Sequence, residues 1–250
     1  MPSLEAYDKS LPYSYALGAF PAMECLKRAK GRCLRLLVSS DSMDSEGIKA
    51  LREMAEAAGI RCEMADRVLA RISRKGNCHA AMVYQKWEDT LDPNADHILL
   101  HHPSDAGNMG TILRTALGLG FLNIAVVRPA VDMDDPHTVR ASMGARFSLR
   151  ITHFDTFETY REAYAGHHLY PFMLKGSEPL GAVAKACVRP ATLAFGNEAA
   201  GLPDEFMHWG DSVRIPHSSA IDSLNLAIAA GIGMYAFAQR REEAICEDHR

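Results

Sequence analysis

From residue 98 onward the sequence alternates short apolar runs with stretches of helical spacing, and few architectures accept that order. The runs are ILL at 98–100, IAVV at 124–127, LYPFML at 169–174, TLAF at 192–195 and SVRI at 212–215, each bounded by Gly, Pro, Asn or Asp. Helical periodicity fills several gaps, as at 111–119 and 155–165. Strands alternating with helices predict an α/β fold with a mostly parallel sheet.

The same alternation occurs on a smaller scale upstream. LRLLV at 34–38 reads as a strand. Residues 47–58 read as a helix, with Ile48, Leu51, Met54 and Ala55 on one face and Gly59 closing it. A second strand at 61–65 completes a β-α-β unit, and 80–84 is a further strand candidate. The polar stretch 86–97 (KWEDTLDPNADH) reads as a linker, which predicts two domains, 1–92 and 93–250.

Composition narrows the class. Hydrophobic residues make up 48% and charged residues 23%, which excludes a disordered or fibrous chain. Cys25, Cys33, Cys62, Cys78, Cys187 and Cys246 form no C-x-x-C pair, so neither a zinc site nor a disulfide framework is expected. Free thiols imply a reducing, cytoplasmic setting. No signal peptide is read at the N-terminus. The apolar run 224–238 is interrupted by Asn225 and is shorter than the roughly 18 residues that suggest a membrane span, so it reads as a buried helix. The net charge of −4 is unusual for a protein that grips phosphates. Bases are clustered, however: Lys27, Arg28, Lys30, Arg32 and Arg35 form one group, and Arg71, Arg74 and Lys75 another. Each group reads either as a solvated face or as a nucleic-acid contact.

Ligands of open α/β sheets bind beyond the carboxyl ends of strands, so three loops draw interest. The first, 104–110 (SDAGNMG), opens a helix that carries Arg114. It lacks the P-loop and dinucleotide signatures but resembles an anion site. Arg114 reads as a phosphate ligand or as a surface ion pair. The second, 196–201 (GNEAAG), places Glu198 between two glycines, and reads as a ligand loop or a plain turn. The third, Ile215-Pro216-His217, leads to Asp222-Ser223-Leu224-Asn225, with Asp222 or Ser223 as the expected helix cap. The helix that follows is rich in small residues, which suits tight packing or a subunit contact.

Taken in order, N-x-G-x-x-x-R-T-A, G-N-E-x-x-G and I-P-x(6)-S-L-N resemble the three motifs of the SpoU (TrmH-type) RNA 2'-O-ribose methyltransferase family of the SPOUT superfamily. Ala141-Ser142-Met143-Gly144-Ala145 also looks like that family's stretch between its first two motifs, and the resemblance spans roughly 93–245. Two positions depart from the pattern: Ala106, where proline is common, and His217, where an apolar residue is common. The N-terminal part is more loosely similar to the ribosomal-protein-like RNA-binding domain that precedes many such catalytic domains, on Tyr15-Ala16-Leu17-Gly18 and the β-α-β unit.

The resemblance implies a trefoil-knotted methyltransferase domain, a homodimer whose assembly completes the active site, and S-adenosylmethionine as cofactor. Gly196, Ile215 and Leu224 would hold the cofactor, largely through backbone groups. Arg114 would act on the ribose 2'-hydroxyl, with Asn108, Glu198, Ser223 and Asn225 orienting it. An arginine stays protonated, so binding the neighbouring phosphate and lowering the hydroxyl pKa suits Arg114 better than accepting a proton. The implied substrate is transfer or ribosomal RNA, and no metal or membrane is required. A catalytically inactive RNA-binding protein that kept the fold is the alternative. A nucleotide-dependent oxidoreductase is disfavoured because no dinucleotide fingerprint is present. His101, His102 and His217 read as polar loop residues or as substrate contacts.

Overall fold

The computed structural model describes residues 4–73 and 78–247, with side chains as far as 239. The chain forms two packed units, Met1–Trp87 with Asp132–Ser148, and Glu88–Val131 with Leu149–Arg250.

The first unit holds a four-stranded sheet of β1 (Tyr13–Leu17), β2 (Cys33–Val38), β3 (Cys62–Met64) and β4 (Ala80–Gln85) in the order β1-β4-β2-β3. β2 and β3 are parallel because α2 (Glu46–Ala57) carries the chain back between them, burying Ile48, Leu51 and Ala55. β4 runs antiparallel to both β1 and β2. α1 (Ala19–Arg28) buries Ala22, Cys25 and Leu26, and α3 (Asp66–Ile72) buries Leu69 and Ile72. Neither β1 nor α3 is predicted from the sequence, since both are short and lack a clear apolar period. In place of a single boundary near residue 92, the first unit also takes in Asp132–Ser148. In that segment, containing α5 (Pro136–Ala141), Asp134 accepts from Tyr84 Oη at 2.9 Å and from Arg146 Nε at 3.1 Å. Arg146 is buried and also donates to the Trp87 carbonyl at 2.9 Å, so the buried charge is met on two sides.

Much of the first basic group is engaged locally. Lys27 and Arg28 reach Glu24 at 3.4 and 3.8 Å, Arg35 reaches Glu63 at 3.0 Å, and Arg32 lies 5.7 Å from the Trp87 ring centre. In the second group Arg71 donates to the Leu4 carbonyl, while Arg74 and Lys75 lie outside the described residues.

In the second unit β5 (His97–His101), β6 (Asn123–Val127), β7 (Arg150–Phe154), β8 (His168–Pro171) and β10 (Ala191–Phe195) form one parallel sheet, in the order β7-β6-β5-β10-β8. Two short strands, β9 (Glu178–Pro179) and β11 (Val213–Arg214), pair beside it. β5, β6 and β10 are buried at every residue, as strands covered on both faces are. The helices are α4 (Ala106–Gly118), α6 (Phe157–Ala163), α7 (Leu180–Lys185) and α8 (Leu226–Glu247), with α8 packed on α4 and α7. The predicted runs at 169–174 and 212–215 shorten to β8 and β11, because Phe172 pairs with Val213 instead of prolonging β8. Edge strand β7 is not predicted, since its sequence, RITHF, mixes charge and polarity. The expected linker is pinned to strands: Thr152 Oγ1 donates to the Asp89 carbonyl at 2.6 Å, and the Asp92 amide to Asn123 Oδ1 at 2.9 Å.

Both ends of β5 are histidines, and burial pushes each down to about 4. The unfolded value is about 6.5, so between these limits the unfolded chain binds more protons than the folded one. Stability from the neutral rings is therefore complete above about pH 6.5 and is lost as pH falls toward 4. His97 is fully buried, and its share is on the order of 2 kcal/mol. Urea midpoints are expected to fall between pH 7 and 4.5, and the fall should be shallower in His97→Gln; equal slopes would contradict this.

Candidate active site

Strands β5 and β10 are neighbours in register, so the loops at their carboxyl ends meet. The β5 loop opens α4, whose first turn is capped by Asp105, its carboxylate accepting from the Asn108 amide at 2.7 Å. The β10 loop is closed by a short antiparallel pairing of Asn197 and Gly201, at 3.2 and 2.9 Å. Asn197 Oδ1 accepts the amides of Ala199 and Ala200 at 2.9 and 3.1 Å, and Asn197 Nδ2 donates to the His102 carbonyl at 2.8 Å.

Glu198 joins the two loops. One carboxylate oxygen accepts from the Ser104 hydroxyl at 2.7 Å and the Ser104 amide at 3.1 Å. The other accepts from the Asp105 amide at 3.1 Å and from Asn108 Nδ2 at 3.2 Å. Burial pushes the Glu198 carboxyl up, but the hydrogen bonds from Ser104 and Asn108 outweigh it and hold the group below the usual carboxylate range. A charged Glu198 thus fixes the entry to α4.

The third loop reaches the same place through Asn225. Its Nδ2 donates to Asn108 Oδ1 at 3.0 Å, while its Oδ1 accepts the amides of Ala227 and Ile228 at 2.9 and 3.3 Å. Asn225, not Asp222 or Ser223, is therefore the cap of α8. Asn108 is held at both ends of its amide, by Glu198 and by Asn225.

The second and third loops line a cavity of about 300 Å³ beyond the ends of β8 and β10, whereas the first loop, with Asn108, and the cap Asn225 do not line it. Gly196, Glu198, Ile215, Ser223 and Leu224 line it, as does His217, whose ring is bonded to the Ile215 carbonyl at 2.9 Å. Phe172–Lys175 also line it, which the sequence did not reveal because the apolar residues there read as strand. Ser104 and Asn197 were missed as site residues too. Asn197 had a usable signal, since an Asn side chain readily accepts the amide two residues on and so closes a turn, as it does here with Ala199. Arg114 is not brought to the cavity within one chain. It stands exposed on α4 and makes no hydrogen bond or ion pair with the described residues, so the surface ion-pair reading fails.

The cavity suits a small organic cofactor. Its walls are more apolar than polar, its volume lies at the lower end of the roughly 300–1,000 Å³ of ligand pockets, and Glu198 and Ser223 are among its polar lining groups. Among the described residues, no group of three or more His, Cys, Asp or Glu side chains is placed to hold a metal ion.

A sequence profile of the SpoU rRNA methylase family matches residues 96–235. A 23S rRNA uridine 2'-O-methyltransferase of Streptomyces viridochromogenes is 32% identical over 155 residues, which are 58% of this chain and 52% of that protein. The tRNA (cytidine/uridine-2'-O-)-methyltransferase TrmJ of Salmonella typhimurium is 30% identical over 169 residues, covering 61% of this chain and 68% of that protein. The crystal structure of an AdoMet-bound rRNA methyltransferase from Sinorhizobium meliloti superposes with a TM-score of 0.77 at 28% identity, covering 92% of this chain and 88% of the other. The chain spans about half the length of the first curated relatives it matches.

Proposed function

This chain belongs to the SpoU rRNA methylase family, and from that membership we propose that it methylates the 2'-hydroxyl of a ribose in transfer or ribosomal RNA, using S-adenosylmethionine. The observation that carries the proposal is that the second and third loops line one cavity while the Glu198–Asn108–Asn225 chain of hydrogen bonds fastens the first loop to both. Gly196, Ile215 and Leu224 would hold the cofactor, and its bound sulfonium supplies an electrophilic methyl group. A ribose hydroxyl is a reluctant nucleophile at neutral pH, so the protein must align it and ease loss of its proton. Asn108, with both ends of its amide fixed, and Ser223 on the cavity wall would position the ribose. Arg114 would bind the adjoining phosphate and stabilise the developing oxyanion.

Arg114 lies outside its own chain's cavity, which supports a homodimer in which it serves the partner's. α8 offers the surface: Ile228, Ile232 and Tyr235 recur at helical spacing and are exposed. Thr115, next to Arg114, borders that surface, since a Cβ at Gly231 would lie 3.7 Å from its Cγ2. The knot is kept within the proposal on the family resemblance, and tight backbone passage supports it: a Cβ at Gly210 would lie 2.1 Å from the Leu169 carbonyl. The first unit would bind RNA. A cytoplasmic setting would fit the free cysteines at 25, 33, 62 and 78.

Two measurements test this reading. Calorimetry should show one S-adenosylmethionine site per chain, and tritiated methyl should pass to bulk RNA; failure of both would overturn it. Glu198→Gln replaces an acceptor of five hydrogen bonds with a group that must turn an N–H₂ toward donors. We expect a loss of roughly 1–3 kcal/mol in melting experiments and at least about ten-fold in kcat/KM. A variant with unchanged kcat/KM would show that the loops align without it.

A further inference from the structure

A second cavity, of about 670 Å³, adjoins the first where Asn197, Ala200 and Gly201 border both. His101, His102, Pro129, Val131 and Pro203 form the rest of its lining that matters here. Side chains of sequence neighbours in a strand point to opposite faces, so two adjacent rings cannot ordinarily stack. Here they do: the His101 and His102 rings lie 3.8 Å apart and 29° from parallel. The cause is the backbone of His102, which leaves β5 at φ +56° and turns its side chain back over its neighbour.

That conformation is uncommon for a residue other than glycine, and it persists only where surroundings fix it. Both backbone groups of His102 are fixed. Its amide donates to the Val127 carbonyl at 3.1 Å, and its carbonyl accepts from Asn197 Nδ2 at 2.8 Å. Beneath the stack, Phe206 meets His101 edge-on at 5.4 Å. Burial, and then the neighbouring His102, push His101 down to about 4, so the inner ring is uncharged at neutral pH.

A rigid two-ring stack, walled by prolines and set beside Ser104 and Glu198, has the form of a stacking surface for a planar ligand. We propose that His102, backed by His101, is the platform on which the base of the target nucleotide lies while its ribose faces the methyl-transfer site. The inference rests on the ribose methyltransferase reading and names the part of the substrate that enters this cavity. Ser104 Oγ is spent on Glu198 and the Asn197 amide on His102, so few polar groups remain to read the base edge. The platform therefore accepts any base, with purines favoured by their larger face. His102 is a positioning residue in this scheme.

The test uses the full protein and the monophosphate of 2-aminopurine riboside, whose fluorescence is quenched by stacking. Saturable quenching is expected. His102→Asn, which tolerates the same backbone but has no ring, should weaken it roughly ten-fold, as loss of one base–aromatic stack does. His102→Tyr restores a ring and should recover the quenching. Ribose 5-phosphate, having no base, should compete poorly. No quenching by the wild-type protein, or equal quenching by His102→Asn, overturns the platform. So does a His102→Tyr protein that melts like the wild type yet behaves as His102→Asn. Calorimetry with S-adenosylmethionine on the same samples separates the two claims. Cofactor binding without quenching removes only the platform, and quenching without cofactor binding keeps a base-stacking surface but removes the methyltransferase reading and with it the assignment to a target nucleotide.

Discussion

Arg114→Ala is expected to lower methyl transfer by about 10²–10³-fold while cofactor affinity changes by less than about two-fold. The reason lies in where Arg114 stands. It is exposed, makes no hydrogen bond or ion pair among the described residues, and does not line the cavity, so removing it should cost neither the fold nor the cofactor site. On the proposed role, what is lost is a planar cationic fork for the phosphate next to the reacting sugar. Arg114→Lys keeps the charge without the fork and should fall between the two. If the proposed dimer forms, mixing Arg114→Ala chains with chains defective in the cavity should recover activity, because each mixed dimer then carries one intact pair. Recovery needs no refolded monomer, only subunit exchange, and its absence would place Arg114 and the cavity within one chain.

Gly196→Ala should act in the opposite way, removing cofactor binding first. A Cβ at Gly196 would fall 2.1 Å from the carbonyl carbon of Gly201 and 2.3 Å from the Leu202 nitrogen. Both are backbone, so the two sides of the loop must part and the Asn197–Gly201 pairing must stretch. The same loop carries Asn197, tied to His102, and Glu198, tied to Ser104 and Asn108. Displacement therefore spreads to the start of α4. We expect about 10²-fold weaker S-adenosylmethionine binding and a stability loss of roughly 1–3 kcal/mol, the usual cost of forcing atoms into a packed site. Gly181→Ala is the control, because a Cβ there meets nothing within 4 Å. Normal cofactor affinity in Gly196→Ala would show that the loop gives way freely and that the cavity does not depend on it.

The central strands were legible because apolar runs such as IAVV and TLAF have one stable use, a strand buried on both faces. Edge strand β7 was not, since an edge needs less hydrophobicity and RITHF carries no clear signal. Nor did the sequence reveal that Asp132–Ser148 packs with the first unit. That depends on the buried Asp134–Arg146 pair and its bond to Tyr84, a tertiary match between residues far apart in the chain. Within the site, the loops after the strands could be read from strand ends, whereas Gly196, Ile215 and Leu224 were singled out by the family resemblance. The cap of α8 was misjudged because Asp222, Ser223 and Asn225 are all good caps, and the choice is made by Asn108, which binds Asn225 from another helix. Arg114 could be named from its motif, but one chain alone leaves it away from the cavity.

The most direct measurement is the position of the methyl group in product RNA. The protein is incubated with tritiated S-adenosylmethionine and RNA from cells lacking it, and the RNA is then hydrolysed with alkali. Alkaline cleavage needs a free 2'-hydroxyl, so ribose methylation should leave the label in dinucleotides that resist cleavage, and Arg114→Ala should abolish that label. Label released in mononucleotides, or none in RNA from a protein that binds the cofactor, would contradict ribose methylation.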